Sequence, residues 1–339
     1  MSLAIGVDLG GTHLRAGALR VPAAGTAAAA DAAPALGASH RELIGADRDP
    51  RAIVDRLAVI VERLAGPGAL ISNAAPVPVG IGAAAMLRDA RGTVARSPHL
   101  GWSDVPFGAL LRARLGPRFA VGVYNDVNAV TWGEAVAGAA RGCRDVLAVY
   151  VGTGIGGGVI ANGALVDGAS SCAGEIGHTK VRWDDDAAPC NCGGRGCVEA
   201  YVGGSYLDRR IRREVSEKRT RTSAVQLAGG AAHVTVAHVD QAAAEGDAWA
   251  LALWSELAPL LAVTLGNALA VLNSERLVLG GGLLSRTPTL VSLVDISLRI
   301  VGPPPSLEPL TIAMAELGDD AGVVGAARLA AAGVAVAAG

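Results

Sequence analysis

The hydrophobic pattern of the chain opens with two apolar runs around a glycine turn: AIGVDL, then GGT, then LRAGAL. β-forming residues on both sides of residues that tolerate unusual backbone angles predict a strand, a tight turn and a second strand. The same order returns from residue 145, as DVLAVYV, GTGIGGG and VIANGALV, and Asn162-Gly163 adds a hairpin signal. The pattern therefore predicts two similar strand–glycine–strand units in one chain.

The remaining pattern predicts alternating helices and strands. Helical periodicity covers residues 49–64, 105–115, the stretch after Asp126, 247–272 and a last segment from 320. Strands are expected near His40–Ile44, within Val77–Leu87, and at FAVGVY, RLVLGGG and LTIAMA; the Ala-rich residues 22–38, with two prolines, are expected to form a surface loop. We expect an α/β protein of two lobes with a central cleft: residues 1–122, completed by a C-terminal helix over 320–337, and residues 123–319.

Composition and charge narrow the class of protein. A net charge of −2 over 339 residues gives no electrostatic reason to expect nucleic acid or an acidic membrane as a partner. The N-terminus has no basic region before its apolar run and Asp8 interrupts that run, which is unlike a signal peptide or an anchor. The apolar stretch Leu257–Leu272 contains Asn267 and is short for a bilayer, so a buried helix is expected. We therefore expect a cytoplasmic protein.

Both glycine-rich turns are candidate phosphate-binding loops. Backbone N–H groups can converge on phosphate oxygens where no Cβ blocks the approach. The candidate residues are Gly10, Gly11 and Thr12 in the first loop, Thr153 and Gly154 in the second, and Gly281 and Gly282 after a later strand. Gly152, Gly154 and Gly157 also match the dinucleotide fingerprint, but that fingerprint opens a helix and this loop runs into a predicted strand. Tight hairpins without a ligand are the alternative.

Two aspartates are candidates for phosphoryl-transfer chemistry. Transfer to a hydroxyl group needs an acceptor for the hydroxyl proton and a metal ion to neutralise developing charge. Asp126, between a strand and a helix, is the candidate base, and Asp8, just before the first glycine loop, is a candidate for holding Mg²⁺ through water. Their alternative roles are a helix N-cap for Asp126 and a turn residue for Asp8.

Three of the five cysteines lie within residues 190–199, CNCGGRGCVE. His178 precedes them, so His178, Cys190, Cys192 and Cys197 form a Cys₃His set that suits tetrahedral zinc, and the intervening glycines let the chain fold back between thiols. Four protein ligands leave no open position, which predicts a structural rather than a catalytic zinc. A disulfide or free thiols are the alternative, although Cys-x-Cys is not the redox spacing Cys-x-x-Cys.

In combination these motifs resemble the ROK family of repressors and sugar kinases. The motifs that carry the resemblance extend over nearly the whole chain: DLGGT, NDVNA, GTGIGGG, AGEIGH, CNCGGRGCVE, LNSERLVLGGG and LGDDAGVVGAA. The resemblance implies an actin-like ATPase domain of the ribonuclease H-like type. It also implies a homodimer or dimer of dimers, and ATP-dependent phosphorylation of a hexose.

The resemblance also implies roles for individual residues. Asp126 would be the catalytic base, and Asn125, Glu175, His178 and Glu199 would bind sugar hydroxyl groups. His178 would use one ring nitrogen for zinc and the other for the sugar, because a metal-bound imidazole is fixed in orientation.

The expected reaction is the conversion of glucose to glucose 6-phosphate. Several different acceptors remain open: fructose, mannose, N-acetylmannosamine or N-acetylglucosamine. Polyphosphate also remains open as the donor. The chain could instead be a sugar-responsive regulator without its DNA-binding domain, or a catalytically silent sugar-binding protein. The regulators carry a helix-turn-helix before the first phosphate strand, which starts here by residue 4.

Some positions depart from the family pattern. Ala83, Ala84 and Ala85 stand where Pro-Gly is usual, and His99 stands where Asn is frequent. His13 stands where many members have Lys after GGT, while Arg15 is similar to the pattern of other hexokinase-like enzymes. These departures leave the sugar and the charge near the phosphates open.

Overall fold

The computed structural model describes residues 2–21, 36–71, 75–216 and 220–333. The chain divides into two compact units. The first unit comprises residues 1–144, 158–174 and 315–339, and the second unit comprises residues 145–157 and 175–314. The lobes expected from the sequence, with a boundary at 122/123, stay a prediction.

The described residues form thirteen strands and eleven α-helices. The strands are β1 (Ser2–Leu9), β2 (His13–Val21), β3 (Leu36–Leu43), β4 (Val77–Ala83), β5 (Met86–Leu87), β6 (Val94–Ser97), β7 (Trp102–Val105), β8 (Phe119–Asn125), β9 (Val146–Val151), β10 (Ile155–Ala161), β11 (Ala164–Leu165), β12 (Arg276–Gly280) and β13 (Thr311–Met314). The helices are α1 (Pro50–Ile71), α2 (Phe107–Leu115), α3 (Asp126–Ala137), α4 (Glu199–Val202), α5 (Gly204–Ser216), α6 (Ala224–Leu227), α7 (Val236–Ala244), α8 (Ala248–Leu272), α9 (Pro288–Val301), α10 (Pro304–Leu307) and α11 (Ala321–Ala331).

The sheet of the first unit has the strand order β3-β2-β1-β4-β8. β1, β2 and β3 are antiparallel neighbours, whereas β1, β4 and β8 run parallel. In the parallel part Leu9 pairs with Ala83, and Ala83 pairs with Asn125. Because parallel strands bring their carboxyl ends to one edge, the first glycine loop, Ala83 and Asn125 lie at the same edge of this sheet.

The backbone of helix α11 packs directly against the backbones of β1 and β4. A Cβ atom at Gly6 would lie 1.8 Å from the carbonyl oxygen of Val323, and one at Gly80 would lie 1.8 Å from that of Ala326. α3 packs on the same helix, since a Cβ atom at Gly325 would lie 1.7 Å from the carbonyl oxygen of Ala129. Only glycine permits such close packing, and it fixes α3 relative to the first sheet.

The second sheet repeats the order of the first, as β11-β10-β9-β12-β13. β9, β12 and β13 are parallel, and β10 begins in the second unit and continues into the first. The predicted repeat of strand, glycine turn and strand is therefore confirmed. The second glycine loop leads into strand β10 and opens no helix, which excludes the dinucleotide-binding arrangement.

The structure corrects several predicted elements. β3 begins at Leu36, so the end of the predicted loop over 22–38 is a strand; residues 22–35 lie outside the described residues. α1 continues to Ile71 across a kink at Gly66, where φ is 75°. The pattern also missed the sheet β5-β6-β7, because strands of two to four residues leave no readable alternation.

Helix α8 confirms the helix predicted over 247–272, of which the apolar stretch Leu257–Leu272 is the second part. At 25 residues it is, within the described ranges, the one helix long and apolar enough to cross a bilayer, but 44 % of its most apolar window is buried. Trp254, Leu257 and Leu261 are completely buried in the core of the second unit. Core packing thus explains its composition, as expected.

The helices α8 and α9 also expose apolar side chains to solvent. Val271 is 84 % exposed, Ile300 is 79 % exposed and Ile296 is 56 % exposed. We refer to Val271, Ile296, Ile300 and Val301 as the α8–α9 face.

Candidate active site

The first glycine loop joins β1 and β2, and the surrounding chain fixes its carbonyl groups. The carbonyl oxygen of His13 accepts a hydrogen bond from the N–H of Gly10 at 3.0 Å, and that of Thr12 accepts one from Ile44 at 2.9 Å. A Cβ atom at Gly11 would lie 2.7 Å from Cβ of His99. Within the described residues, no hydrogen bond uses the N–H groups of Gly11 and Thr12. The loop therefore has the donors that the phosphate-loop prediction requires.

Asp8 lies in β1 opposite Arg15, so its alternative role as a turn residue is wrong. Its Oδ2 accepts a hydrogen bond from Nη1 of Arg15 at 3.0 Å, and Nη2 of Arg15 contacts Oδ1 of Asp319 at 3.0 Å. Burial raises the pKa of the Asp8 carboxyl group, although the nearby Arg15 charge lowers it. The charged groups just before and after the first glycine loop are thus a half-buried aspartate, Asp8, and its arginine partner, Arg15.

Asn125 and Asp126 form the junction between β8 and α3. Asn125 is the N-cap of α3: its Oδ1 accepts a hydrogen bond from the N–H of Asn128 at 3.0 Å. Its Nδ2 donates to the carbonyl oxygen of Ala85 at 3.3 Å. Asp126 is the first helical residue, so the alternative that Asp126 is the N-cap is wrong. The cap instead fixes the backbone from which Asp126 projects.

Two later segments of the chain hold the second glycine loop. Oε2 of Glu199 accepts a hydrogen bond from the N–H of Ile155 at 2.8 Å, and a Cβ atom at Gly154 would lie 2.5 Å from that oxygen. Ser205 donates to the carbonyl oxygen of Thr153 through both its N–H and its hydroxyl group, at 2.9 Å each. Sequence reasoning missed Ser205, because a serine at the start of a helix carries no specific signal.

The third glycine cluster lies beside the end of β9, where the second glycine loop begins. Gly281 has a φ of 90°, and a Cβ atom there would lie 2.4 Å from the carbonyl oxygen of Val151. Gly282 accepts a hydrogen bond from Nε of Arg286 at 2.6 Å. Because β9 and β12 are parallel neighbours, the structure brings Gly281 next to the loop that contains Thr153 and Gly154.

The histidine and the three cysteines of the predicted metal site lie together in the second unit. One potential ligand atom from each of His178, Cys190, Cys192 and Cys197 lies within 4.8 Å of all the others. Nδ1 of His178 is 3.7 Å from Sγ of Cys190, and the sulfur atoms of Cys192 and Cys197 are 3.7 Å apart. Four zinc ligands of this kind, with Zn–S bonds of about 2.3 Å, have sulfur atoms about 3.8 Å apart in a tetrahedron. The donor set therefore fits zinc.

Other features of the cluster agree with a metal site. All three cysteines are free thiols, and 3.7 Å between sulfurs is far from a disulfide. Gly193 and Gly196 have φ values of 90° and 74°, and a Cβ atom at Gly196 would lie 1.7 Å from a carbonyl oxygen. The predicted need for glycine between the thiols is confirmed at these two positions. Nζ of Lys180 donates to Sγ of Cys197 at 2.9 Å, a contact that the sequence did not predict.

The predicted sugar ligands of the second unit border this cluster. Nε2 of His178 lies 3.7 Å from Oε2 of Glu175, and Oε1 of Glu199 lies 3.9 Å from Sγ of Cys190. Burial raises the pKa of Glu175, the His178 contact lowers it, and the negative charge of Glu199 raises it further.

The candidate residues thus fall into two groups, each within one unit. Asp8, Gly10, Gly11, Thr12, Asn125 and Asp126 belong to the first unit. Thr153, Gly154, Glu175, His178, Cys190, Cys192, Cys197, Glu199, Gly281 and Gly282 belong to the second unit.

Comparisons with known proteins agree on one family. The family model described as ROK matches residues 4–332. The chain is 32 % identical to a glucokinase of Streptomyces coelicolor over 335 residues, which cover 97 % of this chain and 98 % of that protein. It is 30 % identical to an N-acetylmannosamine kinase of Citrobacter koseri over 84 % of this chain and 87 % of that protein. The structure is also similar to the crystal structure of a ROK family glucokinase from Streptomyces griseus in complex with glucose and AMPPNP, with a TM-score of 0.71 and 30 % sequence identity. The match covers 97 % of this chain and 99 % of that one.

Proposed function

The chain belongs to the ROK family, and we propose that it is a sugar kinase that transfers the γ-phosphoryl group of ATP to a hydroxyl group of glucose. One observation carries the choice of reaction: the matched Streptomyces griseus glucokinase, similar over 99 % of its length, holds glucose together with AMPPNP. The proposal places the enzyme in the cytoplasm, where ATP is available.

Asp126 is the proposed general base. It would accept the proton of the attacking hydroxyl group as the bond to phosphorus forms. Its position supports the role, because the first residue of a helix that is capped by Asn125 and packed on α11 has little freedom to move. Asn125 has one amide hydrogen and one oxygen lone pair left for a sugar hydroxyl group.

The glycine loops are the proposed phosphate contacts. The N–H groups of Gly11 and Thr12 in the first unit, and the loop around Thr153 and Gly154 with Gly281 and Gly282 in the second, would donate to phosphate oxygens. Asp8 would hold Mg²⁺ through water. A carboxylate suits that ion, which supplies the charge neutralisation needed in phosphoryl transfer.

The Cys₃His cluster is the proposed structural zinc site. His178 would bind the metal through Nδ1, which leaves Nε2 as an N–H donor directed towards the sugar and towards Glu175. Glu199 would offer an oxygen to a sugar hydroxyl group while its Oε2 holds Ile155 in the second glycine loop. The cluster thus acts by position, and the chemistry belongs to Asp126.

A coupled assay tests the function. We expect the purified protein to consume ATP and Mg²⁺ only when a hexose is present, with the highest kcat/KM for glucose. The panel contains glucose, fructose, mannose, N-acetylmannosamine and N-acetylglucosamine, each with ATP or polyphosphate as the donor. A higher kcat/KM for an N-acetylated sugar would replace glucose with that sugar as the proposed substrate. The Citrobacter koseri relative is named for a sugar of this class. No turnover with any pair would contradict it.

We further propose that the enzyme is a homodimer that associates through the α8–α9 face. Several large apolar side chains exposed to solvent on two helices that pack against each other support an interface at this face. We expect the double substitution Ile296→Asp and Ile300→Asp to convert dimers to monomers, because burying two carboxylates at an apolar contact is costly. Light scattering after size exclusion measures this. Val59→Asp on α1, where Val59 is 57 % exposed, is the matched control and should leave the mass unchanged.

A further inference from the structure

Hydrogen bonds connect three loops at the edge of the first sheet. The N–H of Ala84 donates to the carbonyl oxygen of Leu9 at 2.9 Å, at the start of the first glycine loop. The hydroxyl group of Ser97 donates to the carbonyl oxygen of Ala84 at 2.7 Å and accepts from the N–H of Leu100 at 3.3 Å. Ser97 is completely buried, so these bonds are shielded from water. These bonds link the first glycine loop to the segment that follows β4 and to the turn that follows β6.

Arg48 connects the first glycine loop to the segment around His99 a second time, so that the hydrogen bonds form a closed ring. Its Nη2 donates to the carbonyl oxygen of Gly11 at 3.1 Å, and its Nη1 donates to the carbonyl oxygen of His99. Its own carbonyl oxygen accepts a hydrogen bond from Nε1 of the buried Trp102 at 2.7 Å. The side chain of an exposed arginine is ordinarily mobile, and ordering it costs conformational entropy. Here both its backbone and its guanidinium group are held.

The contact with Gly11 acts on a specific peptide group. The carbonyl group of Gly11 and the N–H of Thr12 belong to one peptide unit, and a trans peptide directs them to opposite sides. A cationic donor on the oxygen therefore fixes the direction of the Thr12 N–H and, by polarising the peptide, strengthens it as a donor. That N–H makes no hydrogen bond within the described part of the chain.

We propose that Arg48 is a positioning residue for ATP: through the Gly11–Thr12 peptide it aims the Thr12 N–H at a phosphate oxygen. Arg48 need not touch the nucleotide, because it lies on the carbonyl side of the peptide. The inference rests on the proposed phosphate role of the first glycine loop.

Substitution of Arg48 tests the inference. We expect Arg48→Met, which keeps the length of the side chain without its donors, to raise the KM for ATP about tenfold, the lower end of the loss when a charged hydrogen bond is removed. The KM for glucose and the Tm should change little. Arg48→Lys should recover part of the affinity, since one ammonium group can reach one of the two carbonyl groups. Arg51→Met, on the neighbouring exposed arginine of α1, is the matched control and should behave like the unsubstituted enzyme.

The readouts separate this role from simple loop support. An unchanged KM for ATP in Arg48→Met would overturn the inference, as would equal increases in both KM values together with a lower Tm. Titration with AMPPNP gives a second measurement that needs no turnover. If the unsubstituted protein phosphorylates no hexose, the proposed function fails, yet a tenfold weaker AMPPNP affinity in Arg48→Met would still support the inference. Equal AMPPNP affinity in the two proteins would contradict it.

Discussion

The substitution Asp126→Asn is expected to lower kcat for glucose phosphorylation by ~10²–10⁴-fold, the usual contribution of a general base. Asparagine keeps the size of the side chain and its place at the start of α3, but it cannot accept the hydroxyl proton. The KM for ATP and the affinity for glucose should stay close to those of the unsubstituted enzyme. A coupled assay gives kcat, and calorimetric titration with glucose gives the affinity.

A matched control for this substitution is Asp55→Asn on α1, where the carboxyl group is largely exposed and pairs with Arg114. It removes the same charge from the first unit without touching the β8–α3 junction, and it should leave kcat unchanged. Retention of full activity by Asp126→Asn would show that another group takes the proton.

Loss of the metal site is expected to have the second large effect. The unsubstituted protein should contain about one zinc per chain, as four ligands imply. Cys192→Ser should lose that zinc and bind glucose at least about tenfold more weakly, the lower end of what disturbing a metal's surroundings costs. The physical reason is that His178 belongs to the cluster and Glu199 borders it at Cys190. Elemental analysis and titration with glucose measure the two losses.

The structure adds a consequence for ATP. Because Oε2 of Glu199 also holds the N–H of Ile155, Cys192→Ser should raise the KM for ATP as well. Cys143→Ser, outside the cluster, is the matched control and should keep zinc and both affinities. Metal-free protein with unchanged glucose affinity would contradict the proposed coupling between zinc and the sugar ligands.

The fold was predictable where the chain repeats a local pattern. Apolar strands around glycine turns identified both halves, and the matched ROK kinase structures confirm the expected actin-like fold class. The Cys₃His set was predictable because three of its members lie within eight residues of one glycine-rich turn, where spacing alone limits the geometry. The roles assigned to Asp126, Glu175 and Glu199 stay predictions.

Contacts between distant segments were not predictable. Arg48 meets Gly11 and His99 through main-chain oxygens, and any residue type at those positions offers the same acceptor. Ser205 likewise binds the backbone of Thr153. Because the acceptor in such a bond is a main-chain oxygen, its residue type carries no signal. Neither the hydrophobic period nor the motif spacing can therefore reveal the bond.

The glycine contacts of α11 have a consequence for the order of events during synthesis. The first unit combines an early and a late segment of the chain, and the late helix α11 packs directly on β1 at Gly6 and on β4 at Gly80. On the ribosome β1 and β4 emerge before the second unit begins at residue 145, and α11 emerges only after that unit ends at residue 314. Since domains generally fold as they emerge, the second unit can become compact while the first sheet still exposes apolar surface. We therefore expect chains that stop before Ala321 to be retained by chaperones or to aggregate.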